Sequence, residues 1–394
     1  MFFTSAVTTE PLLRDAIHRL ETILSPQVAN QSPDLMIVFL SAHFRGMASQ
    51  VQQALQELFQ AGQVIGCTAE GVISAQDELE QMPAISVLLA NLPDTRLHPF
   101  YLEPDPSSVT FEDNLKFQQA VGAPADTRLI LLFADPFSTP VEAFLQAFDR
   151  VYPGIPVMGG LASAAMAVGQ NALLLNMQTF RTGAVGLALS GDFEVDLVVS
   201  QGARPVGDLY VVTKAERNAI LGLENKPPLF RIQEMVDTLP EEDHQLLQRG
   251  LLIGQAIYHD REQMGRGDFL IRGVLAADHH DGSITIGGNI QSGEMVQFHV
   301  RDALTAQEDL EMMLIPQAFR PVASGALLFT CNGRGRRLFD HPNGDISVVQ
   351  RSLGNIPLSG FFCAGEIGPV GGRNFVHGHT ACLAIFRPVQ SPME

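Results

Sequence analysis

The residues best able to do chemistry crowd into two stretches, CNGRGRR (331–337) and FFCAGEIGPVGGRNFVHGHT (361–380). His377 and His379 are two apart, so on a strand they would share a face, as paired metal ligands do, with Cys363 or Glu366 as a third. No HExxH accompanies them and no third ligand is fixed by spacing, so no metal and no cofactor are expected. A nucleophile would be Cys331 or Cys363 with His377 as base. The thiolate is the reactive form, and Arg334, Arg336 and Arg337 beside Cys331 would favour it. The same turn can instead cradle an anion, with Cys331, Asn332 and Gly333 offering donors and Arg334 forking a carboxylate. It can also be a plain turn with its arginines in water. Glu366 and His377 form an acid–base pair only if the fold brings them together.

Other chemistries lack their templates. Residues 365–372 are glycine-rich but carry no GxxxxGK[ST] lysine, and no βαβ unit with a suitably spaced acidic residue follows. No GxSxG elbow or SxxK motif is present. Glycine, proline and small residues here read first as turns.

The elements that must position these residues recur along the chain. Residues 35–40 and 129–133 are short apolar runs of strand length, each followed by a helix (47–59 and 141–151). Each helix leads to a second strand ending in glycine and small residues, GCTAEG at 66–71 and GGLASA at 159–164. Residues 326–330 and 356–362 look like a third copy. Small residues at such places let one backbone approach another, or a ligand, closely. Ahead of the first copy, TTEPLLRDAIHRLETIL (8–24) predicts an amphipathic helix that Ser25 and Pro26 should end. Residues 183–189 and 193–200 predict a hairpin around Ser190, Gly191 and Asp192. A second hairpin is expected around Asp281 and Gly282. Paired prolines make 225–228 the expected domain boundary. The fold class this implies is mixed α/β, with helices over mixed sheets and divergent strand–helix–strand repeats in related halves.

Composition narrows the partners. At 394 residues the chain exceeds one comfortable core. A net charge of -18 argues against nucleic acid and anionic membrane surfaces. Only Lys116, Lys214 and Lys226 are lysines, so an arginine cluster stands out. No apolar run reaches the ~18 residues of a membrane span. Cys67, Cys331, Cys363 and Cys382 form no CxxC, and read as small buried hydrophobes in a reducing cytosol.

Taken in order, GCTAEGVIS (66–74), QGARPVG (201–207), FLIRGVLAADHHDGSITIGGNIQSGEMVQF (269–298), FTCNGRGRRLF (329–339) and the stretch ending His377-x-x-Thr380 resemble the FIST domain family. Residues 1–29 are expected to be a helical lead-in, and the resemblance implies a FIST N-terminal domain at 30–226 and a FIST C-terminal domain at 227–388. It also implies a sensory module of signal transduction that binds small molecules such as amino acids, without an established catalytic residue set. The expected ligand site combines Cys331, Asn332, Gly333, Arg334, Glu366, Asn374, His377 and Thr380, with Arg204 from the ARPVG turn, between the two halves. An amino acid would need guanidinium for its carboxylate and a carboxylate for its ammonium. A protein-interaction module without a small ligand, meeting a signalling partner, and an enzyme with Cys331 as nucleophile are the alternatives.

Overall fold

The computed structural model describes residues 1–28, 32–104, 112–257, 264–265 and 267–389. They form two compact units. The first comprises Met1–Val199, Met313–Val376 and Thr380–Glu394, and the second Ser200–Met312 with His377–His379.

Three six-stranded mixed sheets build the first unit. At the heart of each lies a parallel pair joined through a helical crossover: Leu35–Ser41 with Gln63–Ala69, Thr127–Ala134 with Val157–Leu161, and Gly325–Cys331 with Leu358–Cys363. These are the three recurrences of the sequence. An antiparallel strand flanks each pair on one side: Ile85–Asn91, Ala184–Gly191 and Ala381–Pro388 respectively. On the other side each sheet is completed by a hairpin from a different repeat. The hairpin after the first parallel pair (Gly71–Ser74, Glu78–Glu80) joins the third sheet. The hairpin after the second (Leu173–Leu175, Gln178–Phe180) joins the first sheet. The hairpin after the third (Glu366–Val370, Arg373–His377) joins the second. The exchange closes a three-membered cycle.

Register makes the repeats superposable residue by residue. Val38 pairs with Gly66, Leu132 with Gly159 and Leu328 with Gly360. A Cβ at each glycine would come within 1.8, 2.0 and 1.9 Å of the facing carbonyl oxygen, so the glycines permit the same close approach in all three sheets. The next residues, Phe39, Phe133 and Phe329, meet edge to face in the shared core with centroids 5.4, 6.3 and 5.8 Å apart. Helices Leu13–Val28 and Ala48–Phe59 cover the outer face of the first sheet, and Asn114–Val121 and Val141–Val151 that of the second.

Several expectations need correction. Phe2–Thr8, expected within a helical lead-in, is instead the edge strand of the first sheet and pairs with Ile85–Asn91. The first helix passes through Pro26 to Val28, because a proline in the last turn removes only one backbone donor. Ala184–Gly191 and Phe193–Ser200 are strands but not a hairpin. The first belongs to the second sheet and the second to the edge of the third.

The second unit is a closed antiparallel barrel of Arg204–Glu216, Ala219–Leu223, Ile284–Ile286, Phe269–Ala277, Leu252–Ala256 and Met295–Val300, in that order around the ring. Closure leaves no strand edge exposed. The hairpin around Gly282 is present, pairing Phe269–Ala277 with Ile284–Ile286. Asn225–Pro228 falls inside this unit, where Leu223 and Lys226 exchange backbone hydrogen bonds.

Candidate functional site

Ser41, Asp135 and Cys331 occupy matching places just at or past the end of the leading parallel strand. Each donates its backbone N–H to the residue that precedes the flanking antiparallel strand: Ala84 (2.9 Å), Gly183 (2.9 Å) and Thr380 (3.0 Å). The N–H of that residue is in turn accepted by Ser41 Oγ (2.8 Å), Ser138 Oγ (3.1 Å) and Glu366 Oε2 (3.0 Å). Two repeats therefore use a hydroxyl where the third uses a carboxylate. Glu366 pairs across Gly160, whereas the corresponding hairpin positions hold Val72 opposite Phe361 and Leu173 opposite Cys67. A buried carboxylate has replaced an apolar side chain at this one place. Cys331, Glu366 and Thr380 are thus brought together.

The other expected residues are distributed elsewhere. Asn332 is half-buried; its N–H donates to Cys363 O (2.9 Å), and its carbonyl accepts Arg337 Nη1 (2.7 Å). Gly333 N–H points at Cys331 Sγ (3.4 Å). Arg334 is fully buried and forks Asp345 (Nε–Oδ2 2.8 Å, Nη2–Oδ1 2.6 Å), which also accepts Thr330 Oγ1 (2.6 Å). The fork anticipated for a ligand carboxylate is filled by one of the protein's own. Asn374 lies at the far end of its hairpin. Its Nδ2 donates to Asp149 (2.8 Å) and Ile155 O (3.1 Å), while its Oδ1 accepts Val157 N (2.7 Å). His377 is buried and grouped with the second unit, and His379 bonds Arg301 through Nδ1 (2.9 Å). Arg204, in the barrel unit, is paired with Asp243, whose hydrogen bond raises the guanidinium pKa.

All four cysteines are buried and none is in a disulfide. Burial pushes the thiol pKa of Cys67, Cys363 and Cys382 well above its ordinary value, and for Cys363 the neighbouring charge of Glu366 adds to this. Behind Arg334, Glu78 accepts the N–H of Ile346 (2.8 Å) at the start of helix Gly344–Leu353. Burial, reinforced by the Asp345 charge, raises its pKa to about 8.

Glu70 and Ser163 are not among the expected site residues, and Arg337 was expected only as a charge beside Cys331. Glu70 and Ser163 hold the same place, four residues past Gly66 and Gly159, where the third repeat has Ala364. Ser163 Oγ accepts Glu70 N–H (2.8 Å) and donates to Phe362 O. Arg337 forks the Glu70 carboxylate (2.5 and 3.3 Å) with side chains 51% and 31% exposed. The alignment of GCTAEG with GGLASA carried this signal, since a charged and a hydroxyl residue follow otherwise matching glycine strands. The cluster joins strand ends from all three sheets and presents a partly exposed pair of opposite charges. Among the described residues no group of three or more His, Cys, Asp or Glu could hold a metal.

A mixed α/β unit of three exchanging sheets with a barrel alongside in the chain defines the class, and the family follows from comparison. The FIST N domain matches residues 34–226 and the FIST C domain residues 231–369, so the chain belongs to the FIST family, whose domains are sensory modules that bind small ligands. It is 37% identical over 385 residues to uncharacterized protein Rv0628c of Mycobacterium tuberculosis strain ATCC 25618 / H37Rv, covering 96% of this chain and 98% of that one. It is 36% identical over 384 residues to uncharacterized protein Mb0898c of Mycobacterium bovis, covering 96% and 97%. Among solved structures, a cyanuric acid hydrolase from A. caulinodans is 9% identical with a TM-score of 0.38, covering 98% of this chain and 100% of that one. No helix among the described residues is long and apolar enough to cross a membrane.

Proposed function

We propose that the protein is a sensory binding protein for a small ligand bearing a carboxylate, such as an amino acid, held by Arg337 and Glu70. The observation that carries this reading is the accessible, opposite-charge pair at the strand ends, beside Ser163 and Asn332. An exposed ion pair is worth only about 0–1 kcal/mol, so exchanging it for ligand charges costs little. Arg337 would fork the ligand carboxylate, and Glu70 would accept its ammonium. Arg337 takes the part first assigned to Arg334, whose guanidinium is committed to Asp345. Binding is preferred to nucleophilic catalysis by Cys331 because the sequence carries no catalytic template around it. A reducing cytosol, and a protein partner that reads the bound state, complete the proposal.

Thermal-shift and calorimetric titration with the common amino acids and small carboxylates tests it, since a ligand of the folded state raises Tm by mass action. The expected outcome is that Glu70→Ala and Arg337→Ala each weaken binding about tenfold or more, as loss of a charged hydrogen bond does. Unchanged affinity in the double variant would sink the assignment, and silence across the panel would sink the ligand class.

A further inference from the structure

Cys331 and Cys363 are register partners at the ends of adjacent parallel strands, Gly325–Cys331 and Leu358–Cys363. Neighbouring strands run roughly 4.8 Å apart, inside the Cα separation of about 4.4–6.8 Å that a disulfide bridges. Directly opposed residues project to the same sheet face. The thiol pair is particular to this repeat: the first sheet has Ser41 facing Ala69, and the second has Asp135 and Ala162 one residue past the pair Ala134 and Leu161. The two thiols also differ in access. Cys331 is 7% exposed, with the Gly333 N–H directed at its sulfur, a contact that favours negative charge there. Cys363 is fully buried.

We propose that Cys331 and Cys363 are a redox modification site, forming a reversible disulfide on reaction with hydrogen peroxide. The Cys331 thiolate attacks one peroxide oxygen: an S–O bond forms, the O–O bond breaks, and the departing hydroxide takes a proton to become water. Cys331 is then a sulfenic acid. The Cys363 sulfur attacks the Cys331 sulfur, forming S–S and breaking S–O. Its proton leaves with the displaced hydroxide as a second water. Two thiols and one peroxide thus give one disulfide and two waters, the sulfurs losing two electrons and the peroxide gaining them. Asn332 donates its N–H to Cys363 O and accepts Arg337, so drawing the strand ends together moves the turn that carries Arg337.

The test is peptide mapping of the reduced full chain after stoichiometric hydrogen peroxide and quenching with N-ethylmaleimide. The expected result is loss of two hydrogens in mass, a linked peptide containing Cys331 and Cys363, and full reversal by dithiothreitol. Cys331→Ser and Cys363→Ala should each abolish the link, and the residues filling the matching places, Ser41 and Ala69, indicate that the fold accepts both. Cys382→Ala should leave the link intact. A link from either cysteine to Cys67 or Cys382, oxygen addition at Cys331 without a link, or four unmodified thiols in the wild type would each overturn the proposal.

Discussion

Arg334 and Arg337 stand three apart in one turn, yet one is fully buried on Asp345 and the other half-exposed on Glu70. A buried charge must be paired, and removing one partner leaves the other uncompensated in low dielectric. Arg334→Ala is therefore expected to destabilise the fold by about 3–5 kcal/mol. Arg337→Ala should change stability by no more than about 1 kcal/mol. Urea denaturation of both variants checks this, and similar small losses for the two would contradict the division of labour. The sequence made the arginine-rich turn conspicuous but could not say which guanidinium faces inward. That depends on Asp345, which helix Gly344–Leu353 delivers after a further turn. Glu366 was more legible: a carboxylate between glycines at a strand end is suited to accept a backbone amide, and it accepts that of Thr380. Its equivalence to Val72 and Leu173 could emerge only from strand register.

At the scale of elements, the strand–helix–strand units were readable because apolar runs, helices and terminal glycines recur at nearly constant offsets. The hairpins that complete each sheet were not, since they pair with a strand from another repeat and local turn chemistry carries no such address. Ser190, Gly191 and Asp192 have turn-forming side chains, but the strands they join lie in different sheets. The exchanged hairpins therefore need contacts of their own, and Asn374 supplies one. It ties the hairpin of the third repeat to Asp149 in helix Val141–Val151 and to the Val157 N–H at the start of the strand it flanks. Asn374→Ala leaves that buried N–H unpaired, an expected loss of about 1–3 kcal/mol. Hydrogen exchange should show the Val157 amide losing protection ahead of the Phe133 amide in the central strand. Equal protection of Val157 in wild type and variant would refute the clamp.

For the whole molecule, the acidic composition says little about which groups govern stability, because most of the carboxylates are solvated and a few buried groups decide the response to pH. Two of these oppose each other. Glu78 in the first unit has its pKa raised from 4.5 to about 8, chiefly by burial. The folded chain keeps a proton that the unfolded chain has released, so this contribution is complete below pH 4.5 and is lost as pH rises through 8. His299 in the barrel unit has its pKa lowered from 6.5 to about 4, also by burial, with Phe269 edge-on to its ring. The folded chain there refuses a proton that the unfolded chain accepts. Its contribution is complete above pH 6.5 and falls away toward pH 4, by about 3 kcal/mol for a shift of this size. Neither effect could be read from the sequence, since both depend on desolvation by residues remote in the chain. Urea unfolding between pH 4 and 8 separates them through non-titrating variants. Glu78→Gln should remove the fall in stability that Glu78 causes as pH rises from 4.5 to 8. His299→Gln should remove the fall in stability below pH 6.5, the difference from wild type shrinking by about 3 kcal/mol between pH 7 and pH 4. A pH profile parallel to wild type in either variant would mean that the group titrates normally in the folded chain.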